Sequence, residues 1–454
     1  MSEIGPGDLY FEDIDAVSLQ ALYTDKVAAT TAVGRDGLQP RNVTSNQAIS
    51  LVQSAADALR GNAYVFTPYR QMLKIKGAGK PPRQIAIPSL RDRLVLKMMA
   101  EYLRKLFPNI RHRKPQDLVE AVRRAVQSGK FSDYVRLDLV NFYPSIPHQT
   151  IEQILHSKIA PAEFVTLLMA ALANPTLPDG PRAQGPNLIG VPAGLSLANA
   201  LGEIVLNGID EDMAMIDGIA YFRYVDDILV LCGHGQRTVI RMQLNTRLEA
   251  LGLRAHRLGK SHKSAAGKIQ KESVEYLGYT FVNGKVTVDR SRFSRLSDSL
   301  ARPLTMYRHA LEETSEIPRA KARAEWWLNL TITGCISEGK RRGWLPYYSQ
   351  LDDMGRLQQL DAMVNRFMAR IPDEHRFAAK TFQRAFTLTR HPGRDRNGYI
   401  PNFDEIDDIE KFHILNVASR YQNIPTDVLE LDRLFKRFIG TAVASLETDV
   451  GVVS

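Results

Sequence analysis

The chain has 454 residues, 44% of them hydrophobic and 24% charged, proportions of a soluble globular protein with several subdomains and not of a disordered chain. No stretch approaches the roughly 20 uninterrupted apolar residues of a spanning helix, and the opening MSEIGPGDLYFEDIDAV is acidic where a secretory leader is basic and then apolar, so the expectation is a cytoplasmic protein with no membrane partner. A net charge of +9 points to a polyanionic partner, because clustered Lys and Arg release counterions from phosphates on binding.

Apolar residues recur at helical spacing over about 45–62 and 89–107. Between them, Met72 to Pro88 reads as strand, turn and strand, with Gly77 and Gly79-Lys80-Pro81-Pro82 at the turn and Ile85 and Ile87 alternating on the return. This is a basic hairpin. Arg111-His112-Arg113-Lys114 follows as the first local basic cluster. Tyr134 to Leu139 reads as a strand, 148–174 as helical, Leu177 to Pro192 as a Gly/Pro-rich loop and 195–210 as a helix. Ile219 to Leu231 is a second hairpin, whose β-rich arms 220–224 and 228–231 flank Val225-Asp226-Asp227. In a third, Asn283-Gly284 separates Tyr279–Val282 from Lys285–Val288, the pair a tight type I′ turn prefers. From about 291 onward the pattern is almost wholly helical, with a second basic cluster at Lys340-Arg341-Arg342. Cys232 and Cys335 are too few for a disulfide framework or a zinc site and read as small buried residues.

Two adjacent acids at a hairpin tip and a third at the end of another strand suit two magnesium ions. Magnesium is a hard cation that takes oxygen ligands and keeps waters or substrate phosphates in its other positions. Two such ions ~4 Å apart activate an attacking hydroxyl and stabilise the leaving oxygen of an in-line phosphoryl transfer. An Asp-Asp doublet by itself is more often a solvated surface pair. Here Asp226, Asp227 and Asp138 lie within β-branched and aromatic runs, where acids are costly to bury without ions or partners.

Phe222-Arg223-Tyr224-Val225-Asp226-Asp227-Ile228 resembles the Tyr-x-Asp-Asp motif of reverse transcriptases, and Val135 to Ile146, which contains Asp138, resembles their first catalytic motif. Gly190-Val191-Pro192-Ala193-Gly194-Leu195-Ser196 is similar to the Pro-Gln-Gly loop and helix that touch the nascent base pair. Arg83 to Val95 is similar to a segment of group II intron and other bacterial reverse transcriptases, and Glu275-Tyr276-Leu277-Gly278-Tyr279 to the primer-grip hairpin. The order and spacing also match, over about residues 60–290.

The resemblance implies an α+β right-hand polymerase: N-terminal segment and fingers over 1–130, palm over 131–290, helical thumb over 291–350 and a helical C-terminal region over 351–454. It implies that Asp138, Asp226 and Asp227 bind two Mg2+ ions, with help from the Leu139 carbonyl. Lys76 and Arg83 fall at triphosphate-binding positions, where cations offset phosphate charge; the alternative is a solvated hairpin. Tyr143 falls where the family keeps a ring under the nucleotide sugar, against the alternative of core packing, and Lys260 where a lysine assists the departing pyrophosphate, with Lys263 a competitor. Ala193 stands where most members have Gln, which removes a polar contact. The implied partners are an RNA template, a DNA product and deoxynucleotides, with an oligomer left open. Within the family the chain resembles the bacterial defence-associated enzymes, including the abortive-infection type, which implies copying of a dedicated non-coding RNA. A retron-type enzyme, or a maturase-like RNA-binding scaffold with a vestigial site, remains the alternative.

Overall fold

The computed structural model describes residues 5–75, 81–110, 113–180, 185–259, 263–282, 284–313, 316–419, 421 and 423–450. The chain divides into two compact units, Met1–Arg113 with Asp133–Ala266, and Lys114–Ser132 with Gly267–Ser454. The architecture is α+β, as expected.

In the first unit the helix Ser45–Arg60 starts at Thr44, whose hydroxyl accepts the Gln47 N–H while the Gln47 side chain accepts that of Thr44. This reciprocal cap satisfies two otherwise orphaned donors. The helix Leu90–Leu106 is buried along most of its length. Its Asp92 is tolerated in the core because Ser89, the Tyr64 hydroxyl and the Thr67 N–H all donate to it.

The strands of this unit are β1 (Tyr69–Lys74), β2 (Arg83–Ile87), β3 (Asp133–Asp138), β4 (Thr176–Leu177), β5 (Ala220–Tyr224) and β6 (Asp227–Cys232). β1 and β2 form the expected antiparallel hairpin, and β4 adds to β1 in parallel; Gly77, Gly79 and Lys80 of its turn lie outside the described residues. β6 is the centre of the second sheet, antiparallel to β5 on one side and to β3 on the other. A further strand, β7 (Ala265–Lys268), flanks β3, and along it the chain passes into the second unit. The apolar run Ile228–Cys232 is fully buried, as expected of a central strand.

Two expectations need correction here. The single helical stretch 148–174 is two helices, His148–Ser157 and Ala162–Ala173, because Pro161 cannot continue a helix and instead caps the second. The helix expected over 195–210 runs Ala198–Ala214.

The second unit holds the helix Pro115–Gln127 and a sheet of β8 (Val274–Tyr276), β9 (Tyr279–Val282) and β10 (Lys285–Val288). Gly284 takes a positive φ of 72° between β9 and β10; Asn283 lies outside the described residues. Helices Arg290–Glu313 and Ile317–Thr333 follow, and later Met354–Met368, Phe382–Arg390, Asp408–Ala418 and Val428–Val450. The all-helical expectation fails at one place, the hairpin β11 (Cys335–Ser337) and β12 (Lys340–Arg342). Its turn residues Glu338 and Gly339 both have positive φ, 54° and 65°, the geometry of a tight hairpin turn. Both cysteines are buried and free. Among the described residues no helix is long and apolar enough to cross a membrane.

Candidate active site

The register of the central sheet brings the three acids together. Asp138, the last residue of β3, lies opposite Asp227, the first of β6, and Asp227 in turn lies opposite Tyr224 of β5. Val225 and Asp226 form the tip. Val225 has φ of 55°, a region that a β-branched residue enters only under strain, and such strain concentrates where a side chain must be aimed. The Asp226 carbonyl accepts the Leu139 N–H at 3.2 Å, which ties the tip to the end of β3.

Each acid has a different setting. Arg136 sits two residues before Asp138 and on the same face of β3; its Nε and Nη2 donate to the two Asp227 oxygens, both at 3.0 Å. Lys263 donates to Asp138 Oδ2 at 2.7 Å, and the His256 ring nitrogen is 3.5 Å from the same oxygen. Among the described residues no cation is hydrogen-bonded to the Asp226 carboxylate. Burial, and next the charge of Asp138, push its carboxyl up to about 6. Burial also raises Asp227, against the opposing pull of Arg136.

Among the described residues, no group of three or more His, Cys, Asp or Glu side chains is arranged to hold a metal ion. In the structure Lys263 engages Asp138 and Arg136 engages Asp227. The donor set still suits a hard divalent cation: three carboxylates, partly desolvated, one of them shifted toward protonation by burial and then by the charge of Asp138.

Tyr143 lies in the short helix Phe142–Ser145, which follows Asn141 in the left-handed region (φ 47°). Its hydroxyl donates to Asn199 at 2.9 Å. Burial first, and then the charge of Asp226, raise the pKa of this phenol, and the Arg83 guanidinium opposes them. Asp226 and Arg83 thus both act on the Tyr143 phenol. The ring has room because residue 202 is glycine: a Cβ there would meet Tyr143 Cε1 and Phe142 Cε1 at 3.0 Å.

The loop carrying Ala193 is pressed against β2, with the Ala193 carbonyl accepting the Ala86 N–H at 2.7 Å. Gly194, at φ 103°, is required there, since a Cβ would approach the Ala86 carbonyl oxygen to 2.6 Å. Lys76 and Lys260 lie outside the described residues. Sequence reading missed Arg136, His256 and a cluster behind the tip, in which Arg223 bonds to Glu203, Asp210 and the Val225 carbonyl. The alternation of β3 was a usable signal for Arg136; none pointed to the others.

Residues 75–281 match the family described as reverse transcriptase (RNA-dependent DNA polymerase). A curated relative, an uncharacterized 91 kDa protein in the cob intron of Schizosaccharomyces pombe, is 26% identical over 194 residues, which is 41% of this chain and 24% of that protein. The chain thus spans about a quarter of that relative's length. A solved structure of apo telomerase from Candida tropicalis aligns at 12% identity and a TM-score of 0.37, covering 54% of this chain and 60% of that one. Motif order and sheet register thus agree with the match of residues 75–281 to the reverse transcriptase family.

Proposed function

We propose that the protein is an RNA-directed DNA polymerase whose reaction centre is formed by Asp138, Asp226 and Asp227. The observation that carries this reading is the β3–β6 register, which sets Asp138 directly across from the Asp226-Asp227 tip within the matched domain. Asp138 and Asp226, with Asp227 and the Leu139 carbonyl, would hold two Mg2+ ions. When bound, such ions lower the pKa of the attacking hydroxyl and offset charge on the transferring phosphoryl group.

The chain's own residues supply the rest. Arg83 sets a cation on the Tyr143 side of the site, where it offsets phosphate charge on the incoming nucleotide; Lys76 is proposed for the same task. Lys263, which donates to Asp138 at 2.7 Å, is proposed to meet the departing pyrophosphate, with Lys260 as the alternative, and the His256 ring nitrogen lies 3.3 Å from the Lys263 ammonium. Tyr143, fixed through Asn199, presents a ring to the sugar, and Ala193 borders the base pair without a polar group. Fingers, palm and thumb fall at 1–130, 131–290 and 291–350. The template is an RNA, and the resemblance to defence-associated enzymes supports a dedicated non-coding one, read in the cytoplasm.

Primer extension in magnesium on an RNA template tests the reading. Asp226→Asn with Asp227→Asn should abolish incorporation while leaving RNA affinity nearly intact. A double variant that still extends the primer would refute the site. Intact RNA binding with an inactive wild type would favour the scaffold alternative.

A further inference from the structure

Arg223 is an arginine inside a strand, with 5% of its side chain exposed. Its Nε donates to Asp210 Oδ1 at 2.7 Å, Nη2 to Glu203 at 2.8 Å and Nη1 to the Val225 carbonyl at 3.0 Å. Glu203 and Asp210 are seven residues apart on the helix Ala198–Ala214 and so share one face of it. Nη2 also donates to Asp210 Oδ2, and the Tyr221 hydroxyl donates to Asp210 Oδ1 at 2.8 Å. Burial works against the Arg223 charge, but Asp210 and Glu203 outweigh it and keep the guanidinium firmly protonated. The head group is therefore fixed on two sides to a helix, and its remaining arm reaches the one carbonyl that precedes Asp226.

That carbonyl belongs to Val225, the strained residue of the tip (φ 55°). The next carbonyl, of Asp226, is taken by the Leu139 N–H. Two successive peptide groups of the tip are thus pinned, one from behind by a side chain and one from the front by β3. A valine with positive φ persists only when its surroundings over-determine it. We propose that Arg223 is a positioning residue: braced on Glu203 and Asp210, it holds the Val225 peptide in its left-handed conformation and thereby aims Asp226 at Asp138. The catalytic consequence rests on the proposed polymerase reading, whereas the conformational claim does not.

A merely structural role, neutralising two half-buried carboxylates, makes a different prediction. Arg223→Lys keeps the charge but cannot reach both carboxylates and the Val225 carbonyl at once. Val225→Gly removes the cost of positive φ, so the tip should keep its conformation without the brace. The first readout is hydrogen exchange of the Leu139 amide in metal-free full-length protein. Arg223→Lys should lower its protection about tenfold or more, as expected when a local opening becomes easier, and Val225→Gly on top of it should restore most of the loss. Unchanged protection in Arg223→Lys, or a loss that Val225→Gly leaves in place, would overturn the proposal. Where Arg223→Lys fails to fold, Glu203→Ala removes one anchor and must show the same loss and the same rescue. Primer extension provides the second readout: kcat should fall and recover in parallel with protection while KM for the nucleotide holds. Inactivity of the wild type would count against the polymerase reading, and the exchange result would still decide the role of Arg223.

Discussion

Asp226→Asn should make the metal-free protein more stable. In the folded chain the Asp226 carboxyl is shifted from an ordinary 3.8 to about 6, chiefly by burial and then by the charge of Asp138. At 1.36 kcal/mol per unit, the ionised form carries a penalty of about 3 kcal/mol at neutral pH. Asp226 is only half-buried, so solvent screens part of this, and a gain of about 1–2 kcal/mol is expected from Asn. The sign follows from proton binding. Between pH 4 and 6 the folded state holds the Asp226 proton more tightly than the unfolded state, so wild-type stability falls as pH rises through that window. The Asn variant has no such dependence at this position. The advantage of Asp226→Asn should therefore be near zero at pH 4, grow up to pH 6 and stay constant above it. Thermal unfolding in EDTA measures it, as a rise of about 2–8 °C at pH 7.5, taking 2–4 °C per kcal/mol for a unit of this size. Magnesium should raise the midpoint of the wild type and leave that of the variant nearly unmoved. A variant no more stable than wild type at pH 7.5, or a gain that persists undiminished at pH 4, would refute the electrostatic account of the tip.

Tyr143→Val should admit ribonucleotides far better while deoxynucleotide use falls less, because a ring against the sugar excludes the 2′-hydroxyl by volume. The ratio of matched dNTP to rNTP incorporation measures this, and an unchanged ratio in a folded variant would return Tyr143 to the core. RNA affinity should fall steeply with salt. Lys340→Glu should reduce both affinity and salt slope, since Lys340 is exposed, whereas Arg342→Glu should mainly destabilise the second unit by breaking the 2.9 Å pair with Glu447.

What was legible in the chain, and what was not, divides by range. Asp138, Asp226 and Asp227 could be found because local patterning marks strand ends and tight turns, and the acids fall at those marks. Lys340-Arg341-Arg342 looked like a solvated basic patch, but the Glu338-Gly339 turn folds it into a hairpin, where Arg342 meets Glu447 from 105 positions away. The setting of Arg223 was equally out of reach of the local pattern. Alternation along β5 places Tyr221 and Arg223 on one side, but it does not say what covers that side. The helix Ala198–Ala214 covers it, and the two acids that make this affordable, Glu203 and Asp210, read in isolation as ordinary members of a polar helix face. A buried charge is intelligible only with its partner, and the partner's face is decided by packing between elements. Residues that touch substrate can thus be recognised from short motifs, while the residues that hold those motifs in strained geometry become visible only in the folded chain.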